Sequence, residues 1–292
     1  MNSLTPTRLV QEIQQVVSLP DACVRLNELI DDPKSSALDI ADVIIQDTDL
    51  SARLLRVVNS AFYALPGPVE TISRAVTIVG TKELRDLAVV TAACDLFQGI
   101  PSELLNMNDF WHYSVTTGIL ARALAAECHV LHKERLFVMG VLHDIGRLVI
   151  LQHLPAQARD ILLITNTRLD LLPYAENEVL GFTHAEVGFE LVRNWGLPES
   201  IATVVHWHHD PIGVEEFQLE TALIHIGQVL AFDLVWRGDQ MQSLACIEPQ
   251  VWEITGLSAD KCMALGAEVG AQIMELFSVL MGDNGNRRNP GN

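Results

Sequence analysis

The chain has 292 residues, 49% of them hydrophobic and 19% charged, which is enough apolar material for one large core or two smaller ones. Its formal net charge of −18 works against any binding mode that neutralises phosphate backbones, so nucleic acid is set aside as the main partner. Five cysteines, odd in number and without a CxxC spacing, support neither a disulfide framework nor a zinc knuckle and read as buried small hydrophobes.

The chain opens MNSLTPTRLVQEIQQ, with no basic start followed by an apolar run, so it reads as no secretory or targeting segment and a cytoplasmic location is the expectation. From there on apolar residues recur at three- and four-residue spacing, as in Ile40, Val43 and Ile44, then Leu50, Leu54, Leu55 and Val58. Strand-like alternation is hard to find, and the predicted fold class is all-α. Pro20 and Pro198 stand where a first helical residue tolerates a missing N–H, and Ser36 with Asp39 resembles a capping box. The segment Asn59 to Pro68, with two prolines and a glycine, predicts a loop in which Asn59 and Ser60 satisfy loose backbone groups. Gly80 before Thr81, and Gly196 before Leu197 and Pro198, predict tight joints between successive helices.

Between Phe97 and Asn108 the texture changes, and the predicted organisation is an N-terminal helical bundle over 1–105 and a second helical domain over 106–282. The tail from Asp283, rich in Gly and Asn, predicts disorder over 283–292. The longest apolar stretches, Leu136 to Leu142 and Leu148 to Leu151, are interrupted by His143, Asp144 and Arg147 before the roughly 20 residues of a membrane span, so no membrane segment is expected. No Gly-rich phosphate loop, nucleophile elbow or redox motif is present.

Two stretches carry a family resemblance. The first runs Ser18-Leu-Pro, Leu26 to Ile30, Asp32-Pro33, Ile40-Ala41, Ile44 to Asp47, Leu50 to Leu55, Val58 to Tyr63 and Ile72 to Val76, leading into Gly80 and Leu84 to Leu87. The second is Val138-Met-Gly-Val-Leu-His-Asp-Ile-Gly-Arg147. In that order they resemble the HDOD (HD-related output domain) family, a branch of the HD and HD-GYP phosphohydrolase superfamily, over roughly Ser18 to Arg237. The resemblance implies an N-terminal helical bundle packed on a C-terminal HD-type bundle.

It also implies a metal site. His143 and Asp144 match the HD pair, in a segment that Gly140 and Gly146 would let pack closely. With His112 upstream and His184, His208 and His209 downstream, they follow an order similar to that of the HD-GYP phosphodiesterases. Neutral imidazoles with one carboxylate suit iron, manganese, zinc or nickel better than magnesium. His129, His132, His153, His206 and His225 have no place in the motif and read as structural.

The chain departs from the pattern in four places. Gln228 stands where a closing aspartate belongs, and Asp233, five residues on, lies on a different helix face. Asn108 replaces a glutamate, Arg147 a lysine that meets substrate phosphate, and Asp210 to Val214 lacks the GYP signature. One ion is easier to support than two. Two functions stay in view: a non-catalytic signalling module that docks a partner protein, in response to a small phosphorylated ligand or second messenger, or a metal-dependent phosphohydrolase acting on a nucleotide or cyclic dinucleotide. In the second, Asp144 and Arg147 would serve catalysis.

Overall fold

A computed structural model describes residues 4–14, 16–97, 99–166, 168–236 and 238–281; the predicted tail over 283–292 lies outside the described residues. Among these every assigned element is a helix. The order is α1 (Pro6–Ile13), α2 (Asp21–Asp31), α3 (Ala37–Gln46), α4 (Thr48–Val58), α5 (Ile72–Val79), α6 (Thr81–Leu96), α7 (Met107–Glu127), α8 (Glu134–Leu142) and α9 (Ile145–His153). It continues with α10 (Pro155–Thr165), a 3₁₀ turn (Leu169–Leu171), α11 (Leu172–Leu180), α12 (His184–Asn194), α13 (Glu199–Trp207) and α14 (Gln218–Trp236). The last are α15 (Gln240–Ala245), α16 (Pro249–Thr255), α17 (Ala259–Glu268) and α18 (Gly270–Met281).

Local chemistry accounts for many of the ends. The Ser36 hydroxyl accepts from Asp39 N–H while the Asp39 carboxylate accepts from Ser36 N–H, a complete capping box on α3. Gly80, at φ +98°, ends α5 where an L side chain would be strained, and α6 starts at the next residue. Pro20 and Pro198 stand one position earlier than expected, as the caps of α2 and α13. Asn59 works as a clamp for the loop: its amide donates to Leu55 and Val69 carbonyls and accepts from Val69 N–H.

The chain forms two compact units, and they interleave along the sequence: Leu19–Asp95 joins Ala267–Asn292, while Met1–Ser18 joins Leu96–Gly266. The linear division at 105/106 therefore differs from the structure in its cut and at both ends. The reason is side-chain burial. Leu9, Val10 and Ile13 bury one face of α1 against α12, and Trp195 Nε1 donates to Val17 O at 2.8 Å. At the other end, Ile273, Leu276 and Leu280 of α18 are buried, α18 packs on α4, and Glu275 accepts from Ala61 N–H.

Within the larger unit, glycines set how close helices come. A Cβ at Gly140 on α8 would lie 2.4 Å from Gly118 Cα on α7, and one at Gly146 on α9 would lie 2.0 Å from His184 O. The second contact brings the start of α9 against the start of α12. Among the described residues two helical stretches, Glu134–His153 and Gln218–Trp236, are long and apolar enough to cross a membrane, contrary to the expectation that none is. Of their most apolar windows, 89% and 56% respectively is buried inside the protein, so both serve as packing helices of this unit. The cysteines also depart in part from expectation: Cys23 and Cys262 are buried, Cys94 and Cys128 are half-buried and Cys246 is exposed.

Candidate metal centre

The HD pair sits at a break: His143 closes α8, and Asp144 stands before the first residue of α9. His184 is the first residue of α12, held there by a capping box between Thr183 and Glu186. His208 follows the last residue of α13, with His209 next to it. The candidate ligands thus sit at helix ends, and the Gly146 contact carries Asp144 to His184.

Asp144 Oδ1 lies 3.2 Å from His184 Nε2, 3.4 Å from His208 Nε2 and 3.6 Å from His143 Nε2. His209 Nε2 is 3.0 Å from His184 Nε2. One donor atom from each of Asp144, His184, His208 and His209 lies within 4.8 Å of all the others. His143 borders this group. His112, expected with it, is half-buried on α7 and is not a member. Its neighbour Tyr113 reaches the cluster instead, with Oη 3.4 Å from His143 Nε2.

The far nitrogens define the near ones. Nδ1 of His143 donates to Gly140 O and Nδ1 of His208 to Val205 O, both at 2.7 Å, since a carbonyl only accepts. Nδ1 of His184 donates to Glu176 Oε2, also at 2.7 Å. The Nε2 lone pairs of His143 and His208 therefore face Asp144, and the buried Nε2 of His208 has no hydrogen-bond partner. Acceptors crowded around one point repel unless a cation sits between them. Four ligands at the ~2.0–2.1 Å bonds of a tetrahedral zinc-type site would stand roughly 3.4 Å apart, close to the separations here, so the residues fit a single transition-metal ion.

Burial and neighbouring charge act in opposite senses on these groups. Burial drives His143 down to about 4 despite Asp144 beside it. Burial also disfavours a charged His184, but the carboxylates of Glu176 and Asp144 on either side outweigh it and lift it to about 9. Burial would raise Asp144, yet the surrounding imidazoles hold it well below the usual carboxylate range. His209 is the exposed member, but its ring nitrogen faces the buried cluster, and desolvation there with His208 and His184 keeps it well below its ordinary value.

The residues around the cluster decide how many ions it suits. Arg147 Nη1 donates to Asp144 Oδ2 at 2.9 Å, so the second carboxylate oxygen is engaged. Gln228, in the place of the closing aspartate, donates to the main-chain oxygen of His208 at 3.1 Å. His225 Nδ1 donates to that same oxygen at 2.8 Å. Asp233 accepts from Ser243 Oγ of α15, a structural role, and Asn108 is exposed in the first turn of α7. Sequence reasoning missed Glu176 and Tyr113. Glu176 had a signal: an acidic residue on the buried stripe of α11, beside Leu172 and Ala175.

A family model described as the HDOD domain matches residues 16–211. A protein of Treponema pallidum described as uncharacterized is 27% identical over 214 residues, and the chain spans 41% of its length. Among solved structures, a Shewanella amazonensis protein provisionally described as a phosphohydrolase is 25% identical, with TM-score 0.75 over 93% of this chain and 97% of that one. An HDOD domain protein of unknown function from Geobacter sulfurreducens, 24% identical, has TM-score 0.70 over 94% and 97% of the two chains and is similar in fold.

Proposed function

The chain belongs to the HDOD domain family, and on that premise we propose that it is a bacterial signal-transduction protein without hydrolytic activity, which holds one divalent transition-metal ion as a structural joint. The observation that carries this reading is the engagement of both Asp144 oxygens. Oδ1 faces three imidazoles and Oδ2 is bonded to Arg147. In-line hydrolysis of phosphate esters relies on paired ions, or on one ion with an open position and a base to activate water. Here Asp144, His184, His208 and His209 supply a complete set of four donors, and the neutral Gln228 bonds to backbone in place of a carboxylate that would compensate a second ion.

When bound, the ion supplies positive charge that converts mutual repulsion among these donors into a cross-link. Glu176 orients His184, and the Gly140 and Val205 carbonyls orient His143 and His208. The ends of α9, α12 and α13 are thereby locked into one arrangement. A rigid body of that kind passes a signal by contact with a separate signalling protein.

The alternative is a metal-dependent phosphohydrolase acting on a nucleotide or cyclic dinucleotide. It draws support from the Shewanella likeness and from Arg147, a cation beside Asp144 that could meet phosphate. The two separate in one experiment: the purified chain, supplemented with manganese or iron, is assayed against nucleotides, cyclic dinucleotides and aryl phosphates while its metal content is measured. We expect about one equivalent of metal and no turnover. Turnover that disappears in Asp144→Ala would overturn the signalling reading.

A further inference from the structure

A cleft of about 480 Å³ opens in the larger unit, and its lining includes two of the residues that touch the metal cluster from outside it, Tyr113 and Arg147. One wall is aromatic. The rings of Tyr113 and Trp236 are 5.3 Å apart between centroids, those of Phe232 and Trp236 are 5.0 Å apart, and Phe110 adds a fourth ring. Trp236 keeps 39% of its surface exposed at the end of α14, although two rings, Tyr113 and Phe232, lie against it.

The charges are one-sided. Glu103, exposed, and Asp109, half-buried, bring two carboxylates to the lining. The cation among the described lining residues is Arg147, and Asp144 Oδ2 already neutralises it at 2.9 Å. A phosphate entering here would meet two carboxylates and compete with Asp144 for the guanidinium. Phe110 and Tyr113 are buried behind the wall, so an organic cation would meet the accessible rings of Phe232 and Trp236, whose faces carry negative potential, and two acceptors, the combination that recognises quaternary and protonated amines. The volume falls in the range of small-molecule sites.

We propose that the cleft walled by Phe232 and Trp236, backed by the buried Phe110 and Tyr113 and with Glu103 and Asp109 at its edge, binds a small organic cation, an amine or quaternary ammonium. The site does not depend on the metal reading. It does stand next to the cluster through Arg147 and Tyr113, so an occupant could bear on both.

The test is calorimetric titration of the full chain with choline, spermidine and arginine methyl ester, against 3,3-dimethyl-1-butanol as a neutral isostere of choline, and against GMP and inorganic phosphate. At least one of the three cations is expected to bind saturably. For choline, the neutral isostere should be at least about tenfold weaker, because only the charge is missing. Glu103→Gln, at an exposed position that leaves the fold intact, should weaken the bound cation by about three- to tenfold, and Asp109→Asn similarly. Trp236→Ala, checked for helical content by circular dichroism, should weaken it by more than tenfold. Equal binding of choline and its isostere, tighter binding of GMP or phosphate, no saturable binding of any of the three cations, or full affinity in Trp236→Ala would each overturn the proposal.

Discussion

Each of the two units buries charge, and they solve the problem differently. In the unit containing Leu19–Asp95, Arg85 and Asp86 are both 4% exposed; they pair with each other, and Arg85 Nη1 also donates to Asn27 Oδ1 at 3.0 Å. That arrangement is closed by its own side chains. In the other unit, Asp144, His143, His184 and His208 are equally buried, but His143 and His208 turn Nε2 lone pairs toward the carboxylate and His208 Nε2 is left without a hydrogen-bond partner. A buried polar group that is fully partnered serves the fold, and one that is not points to something the chain must bind.

The largest expected effect breaks the closed case. Arg85→Met leaves Asp86 buried and uncompensated, and should cost about 3–5 kcal/mol in urea denaturation, whether or not metal is added. If that cost vanished on adding metal, the two units would not be solving separate problems.

Next comes acidity, in metal-stripped protein. His184 has a folded value near 9, above its unfolded ~6.5, so its stabilisation is complete below pH ~6.5 and is lost as pH rises through 9. His143, held near 4, acts the other way: its stabilisation is complete above pH ~6.5 and is lost as pH falls toward 4. Thermal denaturation across pH 4 to 10 should therefore show a maximum between these limits, with a change on the order of 2–3 kcal/mol on the alkaline side. Restoring metal should flatten the alkaline limb, because the ion displaces the His184 proton and becomes easier to bind as that proton leaves.

A smaller effect sharpens the open case. Glu176→Gln keeps a hydrogen-bond acceptor for His184 but removes its charge, and should weaken metal affinity by about 10- to 100-fold in a competition assay with a chelating dye. An unchanged affinity would mean that the carboxylate only fills space. The smallest effect is a control outside both clusters: Ser36→Ala removes the α3 cap and should cost about 1 kcal/mol in the same urea measurement, with metal content unaltered.

Much of this was legible in the chain. The spacing of Ile40, Val43 and Ile44, the Ser36–Asp39 box and the Gly80 joint are local, and local chemistry decided them. The HD pair and the order of the histidines pointed to the cluster because those residue types have few other reasons to recur in that pattern. Yet His112 and Tyr113 are adjacent in sequence and share a helix, and periodicity alone does not say which of them faces the pair. Only packing turned Tyr113 toward His143. Glu176 was passed over because its role lies across a loop, where helix α11 meets the start of α12.

What the sequence by itself determined is the all-helical fold, most helix ends and the chemical identity of the donors, because those depend on neighbours within about one turn. The tertiary structure decided which atoms meet: the interleaving of the two units, the approach at Gly146 that carries Asp144 to His184, and the turning of Gln228 onto a main-chain oxygen. Convergence of that kind rests on helix-to-helix distances of a few ångströms, set jointly by side chains far apart in the chain, and no short window of residues contains it.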